Sequence, residues 1–248
     1  MIKTEGIVLS ELKFKDTSKI LNIYTKDLGK IPVMAKGAYK ANSKLMASTQ
    51  VFSQNEYIFQ KGKTFYYLNQ GNIIESYYNM RENVERFIYG SYILELIEKS
   101  SPEEEANLTL FLFLEKSLST LSSLEEGFLR FIVAFQVKFV SFIGYKPYLN
   151  TCVICNKKPT DIIRWSHAEG GIICSDCFNR DMSSQYISLE VYKAMVELLY
   201  ISYEDLEEVD ISLDNLKKLQ ILLENYILYN IDRKEFNSFK MIDMLLES

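Results

Sequence analysis

Ile20-Leu21-Asn22-Ile23-Tyr24, the turn residues Lys26-Asp27-Leu28-Gly29, and Ile31-Pro32-Val33-Met34-Ala35 decide the fold of the N-terminal part of this chain. Both flanking runs are rich in β-branched and aromatic residues, and the segment between them favours a reversal, so the stretch predicts paired strands. The pattern recurs in Asn55-Glu56-Tyr57-Ile58-Phe59 and Thr64-Phe65-Tyr66-Tyr67-Leu68, separated by Gln60-Lys61-Gly62-Lys63. A spacing of roughly ten residues predicts a small barrel of about five strands over residues 1–80. No helix is required there, apart from a turn around Ser43 to Gln50.

After residue 80 the period changes from two to 3.6. Val84, Phe87, Ile88, Ser91, Ile93, Leu94 and Ile97 fall on a helical face. Ser101-Pro102-Glu103-Glu104-Glu105 reads as a helix start, with a capping serine, proline at the first position and acids in the first turn. A helix over Asn107 to Leu121 follows, then one from Glu125 to about Ile143 that stops at Gly144. Residues 188–246 return to helix, with Leu213, Leu216, Leu219, Leu222 and Leu223 as a stripe. The expected class is α+β: a barrel over 1–80, then a helical domain over 81–248 with a cysteine module at 150–182. Phe128 to Ile143, the longest apolar run, contains Arg130, Gln136 and Lys138, which argues for a buried helix and against a membrane span. MIKTEGIVLS at the start has no apolar core of a signal peptide, so a cytoplasmic protein is expected.

Cys152-Val-Ile-Cys155 and Cys174-Ser-Asp-Cys177 contain all four cysteines of the chain. Each C-x-x-C can turn two sulfurs to one side, and two such knuckles make a tetrahedron, so the spacing predicts one structural Zn²⁺. Disulfides need an oxidising compartment, a redox pair explains one C-x-x-C but not two, and iron–sulfur clusters usually use other spacings. The segment from Asp161 to Ile173 reads as a hairpin turning at Gly170-Gly171. His167, the only histidine, is expected on the surface of that hairpin.

The net charge of −5 hides a division. Residues 1–80 hold eleven lysines and six acids, a balance of +5; the remainder holds 17 basic and 27 acidic residues, a balance of −10. Such asymmetry points to a polyanion on the N-terminal side. Lys13, Lys15 and Lys19 precede the second strand, and Lys36, Lys40 and Lys44 follow the third in a segment without acids. Lysines and aromatics on one barrel face make a groove for single-stranded nucleic acid; the candidate stacking rings are Tyr39, Tyr24 and Tyr66. There is no Walker A motif, no G-x-G-x-x-G, no H-E-x-x-H and no G-x-S-x-G, so catalysis and a small-molecule substrate are not expected.

Gly6-Ile-Val-Leu9, Lys19-Ile-Leu-Asn-Ile-Tyr-Thr25, Leu28-Gly-Lys30, Ala35-Lys-Gly-Ala38, Ser43-Lys44, Phe128-Leu-Arg-Phe131, Ile143-Gly-Tyr-Lys-Pro147 and Phe236-Asn-Ser-Phe-Lys240, with the cysteine pairs, occur in an order that resembles the bacterial RecO family of recombination mediators. The resemblance implies an OB-fold and a helical domain carrying the zinc module. It implies binding of single- and double-stranded DNA, annealing of complementary strands, and help in loading the RecA recombinase on DNA coated by single-strand-binding protein (SSB), together with RecR. A location at the bacterial nucleoid follows. The chain departs from the family at Tyr39, where a basic residue is common, and at Asn237, where a lysine is. The acidic, apolar-ended tail of SSB needs an apolar pocket with a cation at its lip. Arg130 and Lys138, among Phe128, Phe131, Phe135 and Phe139, are the candidates. The competing expectation is an interaction adaptor that acts through its helices and does not bind DNA.

Overall fold

A computed structural model describes residues 1–158 and 162–247, without the side chains of residues 243, 246 and 247. Asp161, where the expected hairpin begins, lies outside the described residues. Five strands come first: β1 (Ile2–Phe14), β2 (Ser18–Thr25), β3 (Gly29–Ala35), β4 (Gln54–Lys61) and β5 (Tyr66–Glu75). They close in the order β1-β2-β3-β5-β4, antiparallel except for β3 beside β5. This is an OB-like barrel. Alternation puts Val8, Leu21, Ile23, Ile31, Val33, Tyr57, Phe59, Tyr66 and Leu68 inside, because successive side chains point to opposite faces of a strand. The only helical turn before residue 75 is a short 3₁₀ segment at Ala47–Thr49, inside the expected Ser43–Gln50 turn.

Helices α1 (Val84–Ser100) and α2 (Leu108–Ser123) follow the barrel. Their caps are Asn83 and Asn107, whose side chains accept from the backbone N–H of Arg86 and Leu110, the usual way to satisfy a free helix-start donor. The expected helix start at Ser101 is therefore corrected: Ser101 ends α1, and Glu103-Glu104-Glu105 is not helical. Glu103 bridges Lys30 in parallel, and the Glu104 N–H donates to the Lys30 carbonyl at 2.9 Å. β5 pairs only with Val33 and Met34 of β3, so this segment supplies a partner near the start of β3. A strand edge with free backbone groups outweighs local helix signals.

The chain divides into two compact units, and the division does not follow residue 80. One unit comprises 1–124 with 236–248; the other is 125–235. Helix α6 (Asn237–Glu247) belongs to the first because Glu95 of α1 receives the Ser238 N–H at 3.0 Å and its hydroxyl at 2.6 Å, capping α6 from outside. Tyr92 packs on Phe239, with ring centroids 5.0 Å apart.

In the second unit α3 (Phe128–Phe142), α4 (Leu189–Tyr200) and α5 (Leu213–Asn230) pack together, with a small sheet β7-β6-β8 built from Gly171–Cys174, Ile163–Ser166 and Gln185–Ile187. Gly127, not Glu125, precedes the first turn of α3. In α5, Leu216, Leu219, Leu222 and Leu223 are buried, whereas Leu213 at its start is exposed. Among the described residues no helix is long and apolar enough to cross a membrane.

Gly29 marks the constraint at the start of β3. Its φ is +69°, and a Cβ there would lie 2.0 Å from the Glu105 carbonyl oxygen. The left-handed backbone alone costs an L-residue about 1–2 kcal/mol, and the clash is with backbone that cannot swing aside. Gly29→Ala is expected to lower unfolding stability by roughly 2 kcal/mol or more, read by denaturant titration of tyrosine fluorescence. An unchanged midpoint would mean that residues 101–105 do not sit against β3.

Candidate nucleic-acid interface and metal centre

Cross-strand register brings the ends of three strands together: Lys13 lies opposite Lys19, and Lys19 opposite Ala35. The segment leaving β3 therefore begins beside the β1–β2 turn, and the Tyr39 N–H donates to the Thr17 carbonyl at 2.9 Å. Lys13, Lys15, Lys36, Lys40 and Lys44 are all exposed, and among the described residues none of them makes an ion pair. Four other lysines of the barrel are already engaged. Lys3 pairs with Glu56, Lys26 with Glu5 and Lys61 with Glu104, while the Lys30 ammonium donates to the Glu98 carbonyl. Among the described residues of the barrel, the lysines without ion pairs are thus these five and Lys63 of the β4–β5 turn, which is also exposed.

Lys19 does not belong with those five. It occupies the inward parity of β2 with Leu21 and Ile23, and is 1% exposed. Its ammonium donates to Glu11 Oε2 at 2.6 Å and to the Thr49 carbonyl at 3.1 Å. Tyr24 and Tyr66 are likewise buried, at 1% and 3% exposure, which removes them as stacking rings. Tyr39 is 40% exposed. Tyr67, one residue past Tyr66 and on the other face of β5, carries the Lys36 ammonium 4.8 Å from its ring centroid. Exposed Lys63 follows in the β4–β5 turn, whose Gly62 leaves 2.6 Å between an added Cβ and the Tyr67 ring. Once the pairing with β3 turns Tyr66 and Leu68 inward, alternation places Tyr67 on the outer face.

The four cysteine sulfurs lie within 4.8 Å of one another. Cys155 and Cys174 are 3.7 Å apart at Sγ, far beyond a disulfide bond and close to the edge of about 3.8 Å that a tetrahedron with 2.3 Å metal–sulfur bonds requires. The knuckle at Cys152 is closed by the Asn156 N–H donating to the Cys152 carbonyl at 2.9 Å, with Asn156 at φ +60°. Cys174 ends β7 and Cys177 lies in the 3₁₀ turn that follows. Burial pushes the Cys152 thiol up, but backbone amides at Cys174, Cys155 and Ile154 outweigh it and bring it to about 6. Burial and the neighbouring cysteines push Cys177 up to about 12. Four such groups share one small volume comfortably only around a cation, so the residues fit a closed metal site with no position open to a substrate.

His167 is half-buried, which corrects its expected place on the hairpin surface. The turn between β6 and β7 does run through Gly170, but the imidazole stacks on Tyr226 at 6.0 Å, and its Nδ1 accepts from the Trp165 indole at 3.0 Å. That bond requires Nδ1 to be unprotonated. Burial holds the ring's pKa below the ordinary histidine value, against a weaker upward pull from Asp181.

Arg130 and Lys138 are also committed. Arg130 pairs with Glu207, and the Lys138 ammonium caps α4 by donating to the carbonyls of Leu199 at 3.1 Å and Ile201 at 2.7 Å. Phe131, Phe135 and Phe139 are wholly buried and Phe128 nearly so. These phenylalanines are core.

Comparison with known proteins now decides the family. The model described as Recombination protein O N terminal matches residues 1–77, and that described as Recombination protein O C terminal matches residues 81–239. The DNA repair protein RecO of Alkaliphilus metalliredigens is 35% identical over 241 residues, covering 97% of this chain and 98% of the relative. That of Bacillus pumilus is 32% identical, covering 99% and 97%.

The chain belongs to the RecO family.

RecO proteins are DNA repair and recombination proteins, and the two family models meet where the barrel gives way to α1. In this RecO-family chain the site geometry yields two expectations. Metal analysis of the purified protein should find about one ion per chain, and Cys174→Ser should remove most of it and render residues 150–182 sensitive to protease; an equal metal content in the variant would contradict the cluster. As pH falls below the ordinary histidine value near 6.5, the unfolded chain takes up a proton that folded His167 resists. The stability fully present above that value is therefore lost progressively toward the depressed folded pKa. The thermal midpoint should fall more between pH 7.5 and 5.5 in the wild type than in His167→Gln, and equal falls would show that this ring does not titrate out of step.

Proposed function

We propose that this chain is a non-catalytic recombination mediator that holds single-stranded DNA at the basic end of its barrel. The supporting observation is the sorting of lysines: five without ion pairs at that end and a sixth, Lys63, in the β4–β5 turn, against partnered Lys3, Lys26, Lys30 and Lys61. Exposed ammonium groups without internal anions are free to neutralise phosphates, and the nearby rings of Tyr39 and Tyr67 can meet bases. Phosphates of a duplex satisfy the same lysines, so one surface can hold two complementary strands as they anneal. The metal is Zn²⁺ in a structural role, matching four thiolates with no open position. The chain works in the bacterial cytoplasm at the nucleoid, with RecR and SSB as partners in loading RecA.

Arg130 and Lys138 already have partners within their unit, and a second seat for the SSB tail is available. A cavity of about 400 Å³ between β8, α4 and α5 is lined by Tyr186, Ile187, Val191, Ile221 and Leu222, with Lys218, itself paired with Asp214 on the exposed face of α5, beside them.

The test is salt-dependent binding of an oligonucleotide. Replacing Lys36, Lys40 and Lys44 together with alanine should weaken binding and reduce the log–log salt slope by about 0.7 for each phosphate that is no longer neutralised. A folded triple variant with unchanged affinity and slope would move the DNA elsewhere. A wild type with no salt-dependent binding would favour the adaptor reading.

A further inference from the structure

Glu11, Lys19 and Tyr39 are tied together at the basic end of the barrel. One carboxylate serves two partners: Glu11 Oε2 receives the Lys19 ammonium at 2.6 Å, and Glu11 Oε1 receives the Tyr39 hydroxyl at 3.2 Å. The ammonium also lies 4.8 Å from the centroid of the Tyr39 ring. Together with the Thr49 carbonyl, these contacts occupy the donor capacity of a group that has three N–H bonds. Lys19 therefore has nothing left for a phosphate.

A lysine is a costly residue here. At 1% exposure it needs its counter-ion and its hydrogen bonds to offset desolvation. The neighbouring inward residues of β2 are Leu21 and Ile23, so an apolar side chain at 19 would continue the core without that cost. What the charged pair adds is two anchors on an exposed ring: a hydrogen bond at the hydroxyl and a cation against one face. The backbone of Tyr39 is held too, through Thr17. The ring is thus fixed while 40% of the residue remains exposed.

We infer that the Glu11–Lys19 ion pair is a positioning pair that fixes the Tyr39 ring as a stacking platform for a base of single-stranded DNA. The inference rests on the DNA-binding reading above. A ring already held in its working orientation loses less freedom when a base lands on it, so more of the stacking energy appears as affinity. Lys19 thus acts through Tyr39, as the lysines around it act on phosphates directly.

The experiment compares two oligonucleotides of equal length and phosphate number, one of thymidines and one abasic, at several salt concentrations. Their affinity ratio reads base contacts, and the salt slope reads phosphate contacts. In the wild type the ratio favours thymidine by roughly tenfold. Tyr39→Leu and the double variant Glu11→Gln/Lys19→Met both bring the ratio toward one and leave the slope unchanged. The double variant removes both charges together, so neither is left buried alone. Tyr39→Phe, which keeps the ring and removes only the tether to Glu11, lowers the ratio severalfold. Because it alters only a partly exposed side chain, it remains decisive if the double variant does not fold. The inference is overturned if the double variant or Tyr39→Phe keeps the wild-type ratio, or if the double variant's slope drops by about 0.7, which would make Lys19 a phosphate partner. A wild-type ratio of one with a steep slope overturns the stacking platform and leaves the DNA reading intact; a wild type that binds neither oligonucleotide overturns both.

Discussion

Val33 beside Tyr66 and Met34 beside Tyr67 are the parallel pairs that close the barrel, and much of the interface geometry depends on them. Without this closure β3 and β5 would both be open edges, each with a row of unpaired backbone groups. The same pairs fix parity. They turn Tyr66 into the core against Phe59, with ring centroids 6.2 Å apart, and leave Tyr67 outside under the Lys36 ammonium. They also fix where the chain leaves β3, and so where Lys36, Lys40 and Lys44 emerge. Residues 101–105 complete the arrangement by serving the early part of β3 that β5 does not reach.

Charge is distributed to the same end. Ion pairs with Glu56, Glu5 and Glu104 neutralise Lys3, Lys26 and Lys61, while the segment after β3 contains no acid before β4 begins. The acidic balance of −10 lies beyond residue 80, and among the described residues none of Lys13, Lys15, Lys36, Lys40 and Lys44 is ion-paired to those acids. A protein with net charge −5 can therefore present a cationic surface to a polyanion. The cysteine cluster serves a different need. The segment around it has a small buried set, Cys152, Ile173 and Cys174 with a few half-buried neighbours, and a metal ion held by the four cysteines would supply the cross-link that so small a core lacks.

The cysteine site was fully legible, because C-x-x-C geometry is local and the two pairs can meet only by bringing their knuckles together. Strand existence was legible for the same reason: turn residues separate short β-branched runs. What sequence could not give was the inside and outside of each strand, since one residue of register exchanges the faces. Tyr66 and Tyr67 are adjacent aromatics, and only pairing with β3 decides between them. Lys19 looked like one more basic residue; its burial depends on Glu11, which reaches it across the β1–β2 pair. Ser101 to Glu105 carries every local mark of a helix start, yet a strand edge elsewhere in the chain claims its backbone. Arg130 and Lys138 looked free on an amphipathic face because Glu207 and the α4 carbonyls that hold them are some 60 to 80 residues away in the chain.

The central claim is that single-stranded DNA is held by the basic end of the barrel. Amide hydrogen exchange with and without a thymidine oligonucleotide at low salt tests it directly, without altering any residue. The account predicts slower exchange in residues 13–19, 36–46 and 62–67, reversed by added salt, with residues 125–235 unchanged. Protection confined to 125–235, with the barrel segments exchanging as in the free protein, would contradict it.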